Sequence, residues 1–187
     1  MRITGGTWRS RRLKGPGRRQ GLRPTPDSMR ERAFAVLGER IVGARFLDLY
    51  AGTGAVGLEA LSRGARSVVF VERHRAAVGL IETNSSAFDL TADRAELVMR
   101  PVSAAVDRLA QREDRFDIAW VDPPFETWTE GFEVVVKLFR IGLLHEIALA
   151  CLECPEKADV AASLPAELEI GRDLVGGASR IVMIERR

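Results

Sequence analysis

The chain holds only two cysteines, two histidines and one tyrosine among its 187 residues, and aromatic side chains make up just 6% of it. Two cysteines cannot build the disulfide framework that small secreted domains use in place of a large core. With no histidine nearby they also fall short of a zinc site, and no metal is expected. Cys151 and Cys154 do form C-x-x-C. A redox pair of that spacing opens a helix, however, and the apolar run from Ile147 to Leu152 reads as a strand. Residues three apart on a strand point to opposite faces, which disfavours a bond between them. They read as structural thiols in a reducing compartment. Apolar runs near the ~20 residues of a membrane span are missing, and no apolar stretch follows the basic N-terminus as in a secretory signal. The expectation is a cytoplasmic protein with no membrane partner. Repeats and low-complexity segments are also absent.

Acidic residues are missing from one place in particular. From Arg2 to Arg23 there are eight basic residues and no acid. Residues 1–40 carry eleven Arg or Lys against three acids, and the remaining 147 carry seventeen against twenty-three, so the net charge of +2 hides +8 beside −6. A basic extension on a mildly acidic body implies a polyanionic partner. Arg2, Arg9, Arg11, Arg12, Lys14, Arg18, Arg19 and Arg23, with Trp8 interleaved, are suited to gripping a phosphate backbone. Alternation around Ile3, the Gly5-Gly6 pair and Trp8 predict a small β-hairpin, broken by Gly15-Pro16-Gly17. We therefore expect a basic extension over residues 1–24 and one domain over 25–187, with the extension removable without loss of the fold. A helix capped by Asp27 or Ser28 and running to about Gly38 would fasten the two together.

What the chain does have is Phe46-Leu47-Asp48-Leu49-Tyr50-Ala51-Gly52-Thr53-Gly54-Ala55-Val56-Gly57. An apolar strand ends in an acid, and a glycine-rich turn opens a helix. This is the first strand–turn–helix of a nucleotide-binding sheet. The spacing fits G-x-G-x-x-G, so a nicotinamide or flavin dinucleotide has to be weighed. Asp48 argues against it, because a carboxylate at the strand end repels the pyrophosphate that such a helix N-terminus attracts. D-x-x-x-G-x-G suits a cationic ligand, S-adenosylmethionine, whose ammonium and sulfonium favour a carboxylate. Glu72 ends the next apolar run, where it can accept ribose hydroxyls in either cofactor class.

Strands are expected near 45–50, 67–72, 95–99, 116–121, 147–152, 167–170 and 180–185. Helices are expected near 55–63, 75–88, 103–112, 131–141 and 156–163. Such alternation predicts an α/β fold, a seven-stranded mostly parallel sheet with helices on both faces. The fourth strand runs into Asp122-Pro123-Pro124-Phe125. The prolines stiffen that turn and remove two N–H donors, leaving carbonyls and the Asp122 carboxylate as acceptors beside a flat ring. Acceptors next to a stacking face suit an exocyclic amine on a planar base, whose conjugated lone pair must be aimed rather than deprotonated strongly. Trp120 reads as core and Trp128 as a loop lid or packing residue. The chemistry requires neither His74 nor His145.

D-P-P-F combined with D-L-Y-A-G-T-G resembles the methyltransferases that act on exocyclic amines of nucleic-acid bases or on glutamine side chains. More specifically, the chain is similar to the bacterial 16S ribosomal RNA guanine-N2 methyltransferase family, RsmD. The residues that carry this are Arg2-Ile3-Thr4-Gly5-Gly6 with Trp8, Arg9 and Arg11; Leu22-Arg23-Pro24-Thr25; Arg30-Glu31; Asp48 to Gly64; Glu72; and Asp122 to Phe125. The resemblance implies a Rossmann-like S-adenosylmethionine-dependent methyltransferase fold. It implies transfer to N2 of one guanine in a hairpin loop of 16S rRNA, within the 30S subunit or a late assembly intermediate; a monomer is the default expectation for the protein itself. It assigns the cofactor to Asp48, Ala51, Gly52, Thr53, Gly54, Glu72 and Arg73, the base to Asp122, Pro123, Pro124 and Phe125, and RNA to the extension. Many relatives place an acid or amide near the adenine amine; here Arg100-Pro101-Val102-Ser103 stands, so Val102 and Ser103 are expected there. Two alternatives stay open: an adenine-N6 or glutamine-N5 methyltransferase, and a ribosome-assembly factor that only binds RNA.

Overall fold

The computed structural model describes residues 1–16 and 26–187. Seven strands form one sheet: β1 (Arg45–Leu49), β2 (Ser67–Glu72), β3 (Ala95–Met99), β4 (Phe116–Val121), β5 (Leu144–Pro155), β6 (Leu168–Gly176) and β7 (Ser179–Arg186). Their order is β3-β2-β1-β4-β5-β7-β6. Strands β1 to β5 are parallel, and β7 runs antiparallel to both β5 and β6. The central strands β2 and β4 read as largely apolar runs because both of their faces are covered, whereas the edge strand β3 is half-exposed. Helices α1 (Asp27–Leu37), α2 (Ala55–Ser62) and α3 (Arg75–Ser85) supply Met29, Phe34, Leu58 and Ile81 to one core layer. Helices α4 (Val102–Gln111) and α5 (Trp128–Arg140) supply Val106, Leu109, Val135 and Leu138 to the other. The strand order reverses between β1 and β4, and a crevice opens at the carboxyl ends there.

The expected helix over 156–163 is absent, and only a single 3₁₀ turn forms, at Ala161–Ser163. Strand β5 instead continues to Pro155, and the chain goes on into the antiparallel β6–β7 hairpin. Strand β6 lies two places from β5 and parallel to it, and the chain returns along the sheet between them with only that one turn, so the helix-favouring composition of the segment does not decide its structure. The cysteines behave as expected. Cys151 packs in the layer beneath α1 to α3 and Cys154 in the opposite one, and both are buried and unbridged. Burial pushes their thiols up to about 12 and about 11, which keeps them protonated and inert. Trp120 is fully buried, and Trp128 opens α5 half-buried against the core. Among the described residues no helix is long and apolar enough to cross a membrane.

The expected hairpin is a compressed one. A single antiparallel bridge joins Arg2 and Arg12, with Ile3 N–H donating to the Arg11 carbonyl at 3.0 Å. It is not a separable appendage, because Ile3 and Leu13 are buried in the same core layer as α1 and α2. Every residue of α2 is buried, and the extension provides its outer cover. Gly6 lies against the end of α2, at a φ of 74°, so closely that a Cβ there would stand 1.9 Å from the Ser62 carbonyl oxygen. The boundary expected at residue 24 falls outside the described residues, as do Arg18, Arg19 and Arg23.

Candidate active site

The glycine turn after β1 is built from inside. Gly52 and Gly54 take left-handed φ values of 56° and 75°, and Gly54 forms the N-cap of α2. A Cβ at Gly57 would sit 2.3 Å from the Phe70 ring, so only glycine lets α2 rest on β2. Asp48 is 1% exposed and accepts the Gly57 N–H at 2.9 Å. The first turn of α2, which would greet a dinucleotide's pyrophosphate, is thus already occupied by a carboxylate of the chain itself. Asp48 and Gly54 do not line the cleft, so the expected direct contact of Asp48 with a cofactor is corrected to bracing of the turn.

Burial raises the Asp48 acid to about 7; the Gly57 bond opposes the rise and the nearby Glu72 carboxylate adds to it. Because the folded value lies above the unfolded one, the native state holds the extra proton between about pH 4 and pH 7. The contribution of Asp48 to stability is therefore greatest below that window and falls as pH rises through it. Asp48→Asn keeps an acceptor for Gly57 without the charge. The variant should gain stability over the native protein as pH rises from 5 to 8, by roughly 1.4 kcal/mol per unit at the steepest. Denaturant unfolding at both pH values checks this, and a difference independent of pH would contradict it.

Glu72 is buried at the end of β2, and its carboxylate is already oriented. One oxygen accepts the Gly52 N–H at 3.0 Å, and the other accepts the N–H groups of Arg73 and His74 at 2.7 and 2.8 Å. Of about four lone-pair positions on a carboxylate, one remains, on the oxygen that faces Gly52. That leaves room for one hydroxyl rather than the two expected of a ribose.

The cleft over the sheet reversal has a volume of about 1100 Å³. That exceeds the usual room for one small ligand and admits a cofactor together with a base. Ala51, Gly52, Thr53, Glu72, Arg73, Val102 and Ser103, all expected to hold a cofactor, line one part. Asp122, Pro123, Pro124 and Phe125 line another. Register places Tyr50 level with Glu72 and Asp122, because Leu49 pairs with both Val71 and Val121. Tyr50 takes a left-handed φ of 61°, a strained backbone for a side chain of that size. Six carboxylates line the cleft against three arginines and one lysine, a balance that favours a cation over a pyrophosphate.

Helix α5 holds the proline turn in place. Gly131 brings the helix so close to Pro123 that a Cβ there would lie 2.5 Å from the ring. The Pro124 carbonyl accepts the Thr127 N–H at 2.9 Å, whereas no backbone N–H of the described residues donates to the Pro123 carbonyl. The Asp122 N–H is tied to the Leu49 carbonyl at 3.4 Å, which links this turn to the glycine turn.

Arg2, Arg9, Arg11, Arg12 and Lys14 of the extension are exposed. Arg11 donates to the Ala87 carbonyl at 2.8 Å and lies 5.5 Å above the Phe88 ring, so it has a structural task as well. Trp8 packs against Phe88 with ring centres 4.3 Å apart, which favours its packing role over base stacking. Thr4 and Arg30 were legible as motif residues but not for what they do. The fully buried Glu59 carboxylate accepts Thr4 N–H and Oγ1–H at 2.8 and 2.7 Å, Arg63 Nε at 2.8 Å and Arg30 Nε at 3.4 Å. Arg30, equally buried, also donates to the Arg2 carbonyl and to Asp27.

Two residues escaped the sequence reading. Buried Asn84 bonds the Lys14 backbone through both N–H and carbonyl and donates to the Thr53 carbonyl at 3.0 Å, stitching the extension to the glycine turn. Nothing in its local pattern on α3 signals this. Glu153, buried near the end of β5, lines the cleft. An acid following the apolar run from Ile147 to Leu152 was the available signal.

A model of the family described as Conserved hypothetical protein 95 matches residues 1–185. The Ribosomal RNA small subunit methyltransferase D of Escherichia coli K12 is 38% identical over 177 residues, covering 95% of this chain and 85% of that protein. Its namesake in Haemophilus influenzae is 35% identical over 127 residues, 67% of this chain and 64% of that one. A solved structure of a hypothetical protein from Thermus thermophilus superposes with a TM-score of 0.82 at 32% identity, covering 99% of each chain.

Proposed function

The chain belongs to the Conserved hypothetical protein 95 family, and from that premise we propose that it is an S-adenosylmethionine-dependent methyltransferase of small-subunit ribosomal RNA acting on the exocyclic N2 of a guanine. The observation that carries the reading is one cleft containing both the glycine turn with Glu72 and the Asp122-to-Phe125 turn. S-adenosylmethionine supplies an electrophilic methyl group on a positively charged sulfur. The chain offers it the Gly52 backbone, the remaining lone pair of Glu72, and Val102 and Ser103 at the start of α4, in a cleft whose carboxylates favour a cation. Phe125 presents a face for the base. Asp122 and the Pro123 carbonyl accept the N2 hydrogens, which aims the nitrogen lone pair and gives the departing proton a destination. Exposed Arg2, Arg9, Arg12 and Lys14 contact phosphates flanking the target. We place the protein in the cytoplasm, acting as a monomer on the 30S subunit or a late assembly intermediate.

Turnover with labelled S-adenosylmethionine and small subunits from a strain lacking the enzyme tests this, followed by mapping of the modified nucleotide. Methylation at guanine N2 is the expected result; transfer to adenine, to protein or to nothing rejects it. Glu72→Ala should weaken S-adenosylmethionine by roughly 1.5–3 kcal/mol, through loss of a charge-assisted bond and of the brace on Gly52. Calorimetry showing equal affinity, or tighter binding of a nicotinamide dinucleotide, would count against the cofactor assignment.

A further inference from the structure

The acceptor end of the cleft contains a second buried carboxylate, to which the chemistry above gives no task. Val121 on β4 pairs with Leu152 on β5, so Glu153 stands level with Asp122 on the neighbouring strand, at the ~4.8 Å spacing of adjacent strands. Alternation puts the two on the same side of the sheet. Trp120 and Cys151, two residues before each, both belong to the layer beneath α1 to α3. Glu153 is 4% exposed and lines the same cleft as Asp122 and Phe125.

A guanine with N2 presented at Asp122 brings N1–H alongside it, because the two donors are adjacent on the Watson–Crick edge. Buried N1–H must find an acceptor or lose the water it gave up. Adenine presents a lone pair at its own N1, which a carboxylate repels. Two carboxylates side by side therefore match the paired donors of guanine and no other common base edge.

We propose that Glu153 is a specificity-determining residue that accepts the N1–H of the target guanine while Asp122 accepts from N2. This rests on the functional reading above. It assigns to one residue the choice between guanine N2 and adenine N6.

The test uses the full chain and small subunits reconstituted with either guanine or 2,6-diaminopurine at the mapped position. Diaminopurine keeps the exocyclic N2 but replaces N1–H with a lone pair. The native protein should favour guanine by on the order of 100-fold in kcat/KM. Glu153→Gln, which can donate an amide N–H to that lone pair, should shrink the preference at least tenfold while S-adenosylmethionine binds within a few-fold of normal. An equal loss on both substrates means a structural role and overturns the proposal, as does an unchanged ratio. If the variant does not fold, the native ratio decides alone, and diaminopurine accepted as readily as guanine overturns it. Native protein that methylates neither substrate sinks the functional reading itself.

Discussion

Replacing Asp122 with alanine is expected to leave S-adenosylmethionine affinity within a few-fold and to slow methyl transfer by on the order of 100-fold or more. The two effects separate because the structure separates their residues. The part of the cleft proposed for the cofactor is formed by the turns after β1 and β2 and the start of α4, and the turn proposed for the base follows β4. The acceptor turn is rigid before any substrate arrives. Pro123 is clamped by Gly131 of α5, Thr127 closes the turn onto Pro124, and the Asp122 N–H is fixed to Leu49. Loss of the carboxylate should therefore remove an acceptor without remodelling the turn. A conjugated amine is a poor nucleophile, and without an acceptor for its hydrogens its lone pair is no longer held toward the methyl group. Phe125→Ala should fall in the same class, and Phe125→Tyr should keep much of the activity because the flat face survives. Single-turnover rates beside calorimetric affinities decide the matter. Asp122→Ala working at the native rate would remove the residue from the mechanism.

What the sequence revealed and what it hid divide along a physical line. Strands β1, β2 and β4 were legible because central strands covered on both faces become largely apolar runs, and each carries an acid at or next to its end, of which Glu72 and Asp122 reach the crevice. Gly57 was legible for the same kind of reason, since a glycine inside a helix start has few explanations other than close packing. Long-range partners were not legible. Asp48 looks from its position like a cofactor ligand, yet its bond to Gly57 depends on how far α2 leans back over β1, which no local pattern records. Glu153 was hidden because its meaning lies in register: only the pairing of β4 with β5 sets it beside Asp122. The segment 156–163 was misread because propensity is a weak prior, and the return from β5 to β6 is made with a single 3₁₀ turn in place of a helix.

The basic extension gives the sharpest case, and its two tasks can be separated by experiment. Its charge is what an RNA-binding arm would need, and its uncharged atoms hold the domain together. Deleting residues 1–13 would strip from fully buried Glu59 both bonds donated by Thr4, take the Arg2 carbonyl from buried Arg30, and remove Ile3 and Leu13 from the core. Each lost bond to the buried carboxylate costs roughly 1–3 kcal/mol and the missing Ile3 another 2–5. Such a loss takes most of the margin of an ordinary domain, about 5–15 kcal/mol. The truncated chain should therefore melt far below the native protein, and its failure to methylate would say nothing about RNA. The discriminating variant neutralises Arg9, Arg12 and Lys14 together to glutamine, since all three are exposed. It should melt within a few degrees of the native protein and bind S-adenosylmethionine normally. Each phosphate contact contributes about −0.7 to the slope of log affinity against log salt on a single strand, so three lost contacts should flatten that slope by roughly 2. Fluorescence titration of a small-subunit RNA fragment across salt concentrations measures it. An unchanged slope would mean that the charge on this loop serves something other than RNA, whatever the extension does for the fold.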